Sequence, residues 1–215
     1  MSRRVVGLLL ASLLRAGPLA AQLPRLLGNL DLSLARQHFQ SSFPGGSESL
    51  SGALMTGQLG LALRPLTVTV SYGQGRLASG DGSSAARSVV EASVMLSRRV
   101  TPWLLLKAGP RVRAYSAPGS TERWVMWEGH AHVDESVITG VLAAYLEGWL
   151  AVASSANVDP GGSGARGAEV GVTMQIPGSA LWARLGYAVD QASLKNSART
   201  EALQSVVVAV GLGGR

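Results

Sequence analysis

A chain of 215 residues with no cysteine, 27 glycines and a formal charge of +6 excludes a disulfide-stapled scaffold and a thiolate metal site. Only 15% of residues are charged, and there is no basic stripe or aromatic platform. The positive charge is therefore not that of a nucleic-acid binder.

The chain opens MSRRVVGLLLASLLRAGPLAAQ. Arg3 and Arg4 precede an apolar run from Val5 to Leu14, and the small residues Ala20 and Ala21 precede Gln22. This is the layout of a cleaved secretory signal over residues 1–21. Arg15 interrupts the run, which leaves too few apolar residues for a spanning helix. Loss of the signal removes three of the 19 basic residues and none of the 13 acidic ones, so the charge falls from +6 to +3. Residues 22–215 suit a single domain.

From residue 28 onward the pattern is alternation broken by glycine, proline and serine. It predicts ten strands, at about 28–38, 51–63, 66–77, 88–98, 102–115, 122–134, 137–153, 166–176, 180–191 and 201–212. Each is long enough for a transmembrane strand of roughly 9–11 residues. Long polar links are expected at 39–50, 78–87, 116–121, 154–165 and 192–200, and tight ones at 64–65, 99–101, 135–136 and 177–179. Strict alternation of long and short links predicts an antiparallel up-and-down barrel with both termini on the short-turn side. The segment ITGVLAAYLEGWLAV, 138–152, is rich in helix formers. Its parity favours a strand, with Tyr145 and Glu147 on one face and Leu142, Leu146 and Leu150 on the other.

The stretch WVMWEGHAHVD, residues 124–134, sets the chemistry. One face carries Trp124, Met126, Glu128, His130, His132 and Asp134, while the other is apolar and mostly small. In a transmembrane barrel the polar face becomes lumen and the apolar face meets lipid. Rows such as Val206, Val208, Val210 and Leu212 then face outward. Trp103, Trp124, Trp149 and Trp182 fall on polar-face parity, so they either shift outward through bulges into an aromatic girdle or pack inside. The inward charges are Asp31, Glu91, Glu128, Asp134, Glu147, Glu169 and Asp190 against Lys107, Arg111, Arg113 and Arg184, with His130 and His132 among them. Ions removed from water must be paired, so a polar network filling a narrow lumen is expected. His130 and His132 are of the type that ligate borderline metals. Same-face neighbours on a strand lie about 7 Å apart, however, and no third ligand is specified, so neither a metal nor a cofactor is expected. Ser136 has neither the spacing nor the elbow of an activated nucleophile, so no catalytic residue is assigned.

This layout resembles the small bacterial outer-membrane β-barrel proteins over the whole mature chain. The likeness implies residence in the outer membrane, contact with its lipid, and assembly by periplasmic chaperones and the barrel-assembly machinery. Members of the class usually end on an aromatic residue, whereas this chain ends VVVAVGLGGR with Leu212 as its last apolar residue. No further domain is expected after the tenth strand and no plug before the first. Four functions are compatible: a structural or surface barrel with a charge-filled lumen, a narrow porin-like channel for small solutes, a soluble periplasmic barrel with its apolar rows turned inward around a ligand, and an outer-membrane hydrolase.

Overall fold

In a computed structural model, the structure describes residues 27–213 apart from 64, 81, 83, 159 and 160. The expected signal at 1–21 lies outside the described residues. Ten antiparallel strands close on themselves: β1 (Leu27–Phe43), β2 (Gly46–Leu63), β3 (Leu66–Ala78), β4 (Arg87–Thr101), β5 (Leu104–Ala117), β6 (Ser120–Ile138), β7 (Leu142–Ala156), β8 (Gly162–Gln175), β9 (Leu181–Leu194) and β10 (Thr200–Leu212). Each strand pairs with its sequence neighbours, and β1 pairs with β10, from Leu30 opposite Leu212 to Ser42 opposite Thr200. Closure satisfies the backbone groups of both edge strands, which is what permits a sheet to sit in hydrocarbon.

Side-chain alternation then sorts the residues. Val206, Val208, Val210 and Leu212 are each about half exposed (49–55%), while Ser205, Val207 and Ala209, which alternate with them, are buried. Equivalent outward rows run through Leu32 and Leu34, Leu59 to Leu63, Val90 to Leu96, and Val170 to Ile176. So continuous an exposed apolar belt is unstable against water and stable against lipid. A soluble barrel with these rows turned inward does not hold, because the rows face outward. Tyr72, Trp127 and Tyr187 also point outward. Trp124 and Trp182 are buried in the lumen and Trp149 is half-buried there, so the expected polar-parity girdle reduces to Trp103, exposed at a turn.

The strands run 13 to 19 residues, longer than the alternation predicts at several ends. Connections at one end, termed the loop end, are 44–45, 79–86, 118–119, 157–161 and 195–199; at the other they are 64–65, 102–103, 139–141 and 176–180. The expected sorting into long and short links therefore weakens. Most of 39–50 is a β1–β2 hairpin that stays paired to Phe43 opposite Gly46, turning on Pro44 and Gly45, the latter at φ +96. The link expected at 135–136 is also displaced. β6 and β7 stay paired to Ile138 opposite Leu142, and the reversal uses Gly140 at φ +70. The segment 138–152 is strand from Leu142 onward, with Tyr145 buried and Leu146 and Leu150 exposed, as the parity requires.

Orientation is open to direct labelling because the chain has no cysteine. A cysteine replacing exposed Ser47, at the loop end, is expected to react with an impermeant maleimide in intact cells. One replacing Val137, 59% exposed at the turn end, is expected to react only after the outer membrane is opened. The reverse pattern would invert the barrel.

Candidate functional site

The inward residues of β6, taken from the loop end, are Glu122, Trp124, Met126, Glu128, His130, His132 and Asp134. This order defines three tiers of the lumen. At the loop end, Arg199 donates to both Glu122 and Glu201, and Arg87 donates to Glu48. Below these lies an apolar plug whose fully buried members are Phe39, Leu50, Leu77, Val89, Trp124 and Met126. Phe39 packs on Tyr115 with ring centroids 5.2 Å apart, and Trp124 Nε1 donates to Glu122 Oε1 at 2.9 Å. The plug comes from β1 to β6 together with Leu194 and Leu203 on β9 and β10, so it draws on walls all round the barrel.

The third tier is ionic. Arg113 on β5 donates through Nε to Glu91 Oε1 and through Nη2 to Asp190 Oδ2, both at 2.6 Å. Arg111 donates to Glu91 Oε2 at 3.0 Å and Asp190 Oδ2 at 3.1 Å, and lies 3.5 Å from Glu128 Oε1. Glu91 is on β4 and Asp190 on β9, so the pair of arginines ties one wall to the opposite one. Nearer the turn end, Glu147 on β7 gathers three partners. Lys107 Nζ donates to its Oε2 at 2.7 Å, His132 Nδ1 lies 3.0 Å from that oxygen, and His130 Nδ1 lies 2.8 Å from Oε1. His130 Nε2 sits 3.1 Å from Glu128 Oε2, which joins the two clusters. The imidazoles stack on Trp149 and Tyr145 at 5.8 and 5.5 Å. Tyr145 donates to Glu169 Oε1 at 2.5 Å, and Arg184 lies 3.9 Å from the same oxygen. Asp31 accepts from Gln58, and Asp134 accepts from Arg99.

All the charged residues and histidines expected inside by parity face this interior. Glu91, Lys107, Arg111, Arg113, Glu128, His130, His132, Glu147 and Asp190 form one connected array, Glu169 and Arg184 form a neighbouring pair, and Asp134, held by Arg99, meets the array at His132 Nε2, 3.6 Å away. A polar cavity of about 490 Å³ opens among them, lined by Asp31, Thr67, Lys107, Arg111, His132 and Arg184 among others. No group of three or more metal-binding side chains is found among the described residues. The imidazole nitrogens face Glu147 and Glu128, carboxylates that also contact Lys107 and Arg111.

The parity of the sequence does not reveal the apolar plug or the Glu122–Arg199–Glu201 and Glu48–Arg87 clusters. The signal was present: inward parity continued past residue 38 places Phe39, Leu50 and Leu54 on the lumen side. The Pro, Gly and Ser content of 39–50 obscured it.

No family model matches the chain, and no curated protein matches it in sequence. Solved structures do match in shape. The translocator domain of the autotransporter NalP from Neisseria meningitidis superposes with a TM-score of 0.55 at 11% identity, covering 88% of each chain. The outer membrane protease OmpT from Escherichia coli does so with a TM-score of 0.59 at 11% identity, covering 88% of this chain and 97% of that one. The fold is that of the bacterial outer-membrane β-barrels. With its lipid-facing belt, this barrel is a protein of the bacterial outer membrane. At such identity the likeness carries architecture alone, so the role of this barrel has to be argued from its own lumen.

Proposed function

We propose that the protein is a closed outer-membrane barrel of structural or surface role, sealed against solute passage. The observation that carries this reading is the apolar plug between two charged tiers. Hydrated ions entering from either end would have to shed water among Phe39, Leu50, Trp124 and Met126, where the Tyr115 hydroxyl and other isolated polar atoms replace little of it. The Arg113–Asp190 bridge below the plug narrows the path again. On this reading the turn-end cavity is a dead-end vestibule. Outer-membrane lipid is the protein's permanent surrounding, with periplasmic chaperones and the barrel-assembly machinery as partners in biogenesis.

Planar-bilayer recording tests it. Purified, heat-modifiable protein is expected to add no conductance above the bare membrane. Reproducible unitary steps from the wild-type chain, altered by neutralising Lys107, would replace the closed barrel with the narrow channel.

A further inference from the structure

Charge on the outer wall is distributed unlike charge in the lumen. Among the described residues, outward positions on the loop side of the apolar belt hold Arg36, Arg76, Arg123, Arg166 and His38, and no aspartate or glutamate. The one outward acid on the strands is Glu135, at the turn end of β6. Every arginine inside finds a carboxylate, whereas Arg36, Arg76 and Arg123 have no side-chain partner among the described residues. Arg166 meets only Gln191, at 3.4 Å.

Two of these cations form a site. Arg36 on β1 lies directly opposite Ala53 on β2, and Ala53 lies directly opposite Arg76 on β3. The arginines therefore stand two interstrand spacings apart, roughly 10 Å, across a methyl group that does not obstruct them. His38 flanks the pair on the loop side, with Nδ1 2.9 Å from Ser51 Oγ. On the membrane side the same three strands present Leu34 and Gln74 on either side of Met55, then Leu32 and Tyr72 on either side of Gly57. Leu32, Leu34, Met55 and Tyr72 are all more than half exposed. Ala53 leaves a shallow gap between the two arginines, and below it Leu34, Met55, Leu32 and Tyr72 stand out as an apolar bed.

We propose that this face binds a membrane lipid with a phosphomonoester headgroup, its phosphate between Arg36 and Arg76 over Ala53 and an acyl chain against Leu34, Met55 and Leu32. A phosphomonoester carries about −1.5 to −2 charges and three acceptor oxygens, enough for both guanidinium forks. A phosphodiester carries one charge, and a zwitterionic headgroup carries none in net. The apolar bed supplies what a free anion would not use. The site is on the outer wall, so it stands whether or not the lumen conducts.

The test uses the full mature protein, folded in detergent and equilibrated with micelles containing phosphatidic acid, phosphatidylglycerol and phosphatidylcholine of matched chains. Bound lipids are counted by native mass spectrometry. Phosphatidic acid is expected to be enriched roughly tenfold over phosphatidylcholine, the factor that one charge-assisted contact supplies. The R36Q/R76Q variant is expected to lose that enrichment. So is A53E, which keeps both arginines but places a carboxylate between them. R98Q, at the turn side, is expected to keep it. All these substitutions are on the exposed outer face, and unchanged heat-dependent gel mobility checks that each variant folds. No enrichment in the wild type, equal enrichment of phosphatidylglycerol, or retention in both R36Q/R76Q and A53E would each overturn the proposal.

Discussion

Replacing Arg113 with alanine is expected to cost about 3–5 kcal/mol of folding stability, the range for breaking a buried ion pair by removing one partner. Arg113 is 5% exposed and makes its two shortest contacts, each 2.6 Å, to carboxylates on different walls. Truncation leaves Glu91 and Asp190 sharing Arg111 alone, with one wall-to-wall bridge removed. Much of the cost is the penalty of burying two carboxylates with one cation. Arg113→Lys keeps the charge but loses the planar fork that reaches both acids, so an intermediate loss of roughly 1–3 kcal/mol is expected. Urea titration of the heat-modifiable band in lipid vesicles measures both. Arg113→Ala unfolding at the wild-type urea concentration would show that the ionic tier only fills space.

Arg113 also marks where sequence reasoning stops. Its inward orientation is readable because alternation around Lys107, Arg111 and Arg113 has a period of two and the neighbours Val112 and Ala108 are apolar. Its partner is not readable, since Asp190 lies 77 positions away and is brought near only by barrel closure. The same contrast runs through the fold. Ten strands and the face of nearly every residue in the belt follow from local alternation, which lipid on one side and lumen on the other enforce. Strand ends do not follow, because beyond the belt both faces meet water or the polar rim and the alternation fades. Residues 39–50 look like a loop by composition and yet pair through to Phe43 and Gly46. Glu135 and Ser136 look like a turn, but the reversal waits for Gly140, where a positive φ carries no strain. The plug was hidden for a related reason. Apolar residues on the lumen face are unexpected if a lumen is assumed to be polar along its full height.

The plug is where the second large effect is expected. Trp124 is 1% exposed and donates its indole N–H to Glu122 at the loop end, and a Cβ on Gly162 would come within 2.9 Å of its ring. So closely fitted a ring leaves a cavity when truncated, and Trp124→Ala is expected to cost about 3–5 kcal/mol. Trp124→Phe keeps most of the ring and loses the bond to Glu122, so about 1 kcal/mol is expected. The functional readout separates the plug from the ionic tier. If apolar packing is the seal, Phe39→Ala combined with Trp124→Ala joins the wet loop end to the turn-end cavity, and unitary conductance steps are expected where the wild type shows none. If this double variant folds, shown by retained heat-modifiable mobility, and is still silent, the Arg113–Asp190 bridge is the barrier. Adding Asp190→Asn to it should then open the path. Conductance in neither background would mean that the ten-stranded wall itself leaves no continuous passage, with the plug serving stability alone.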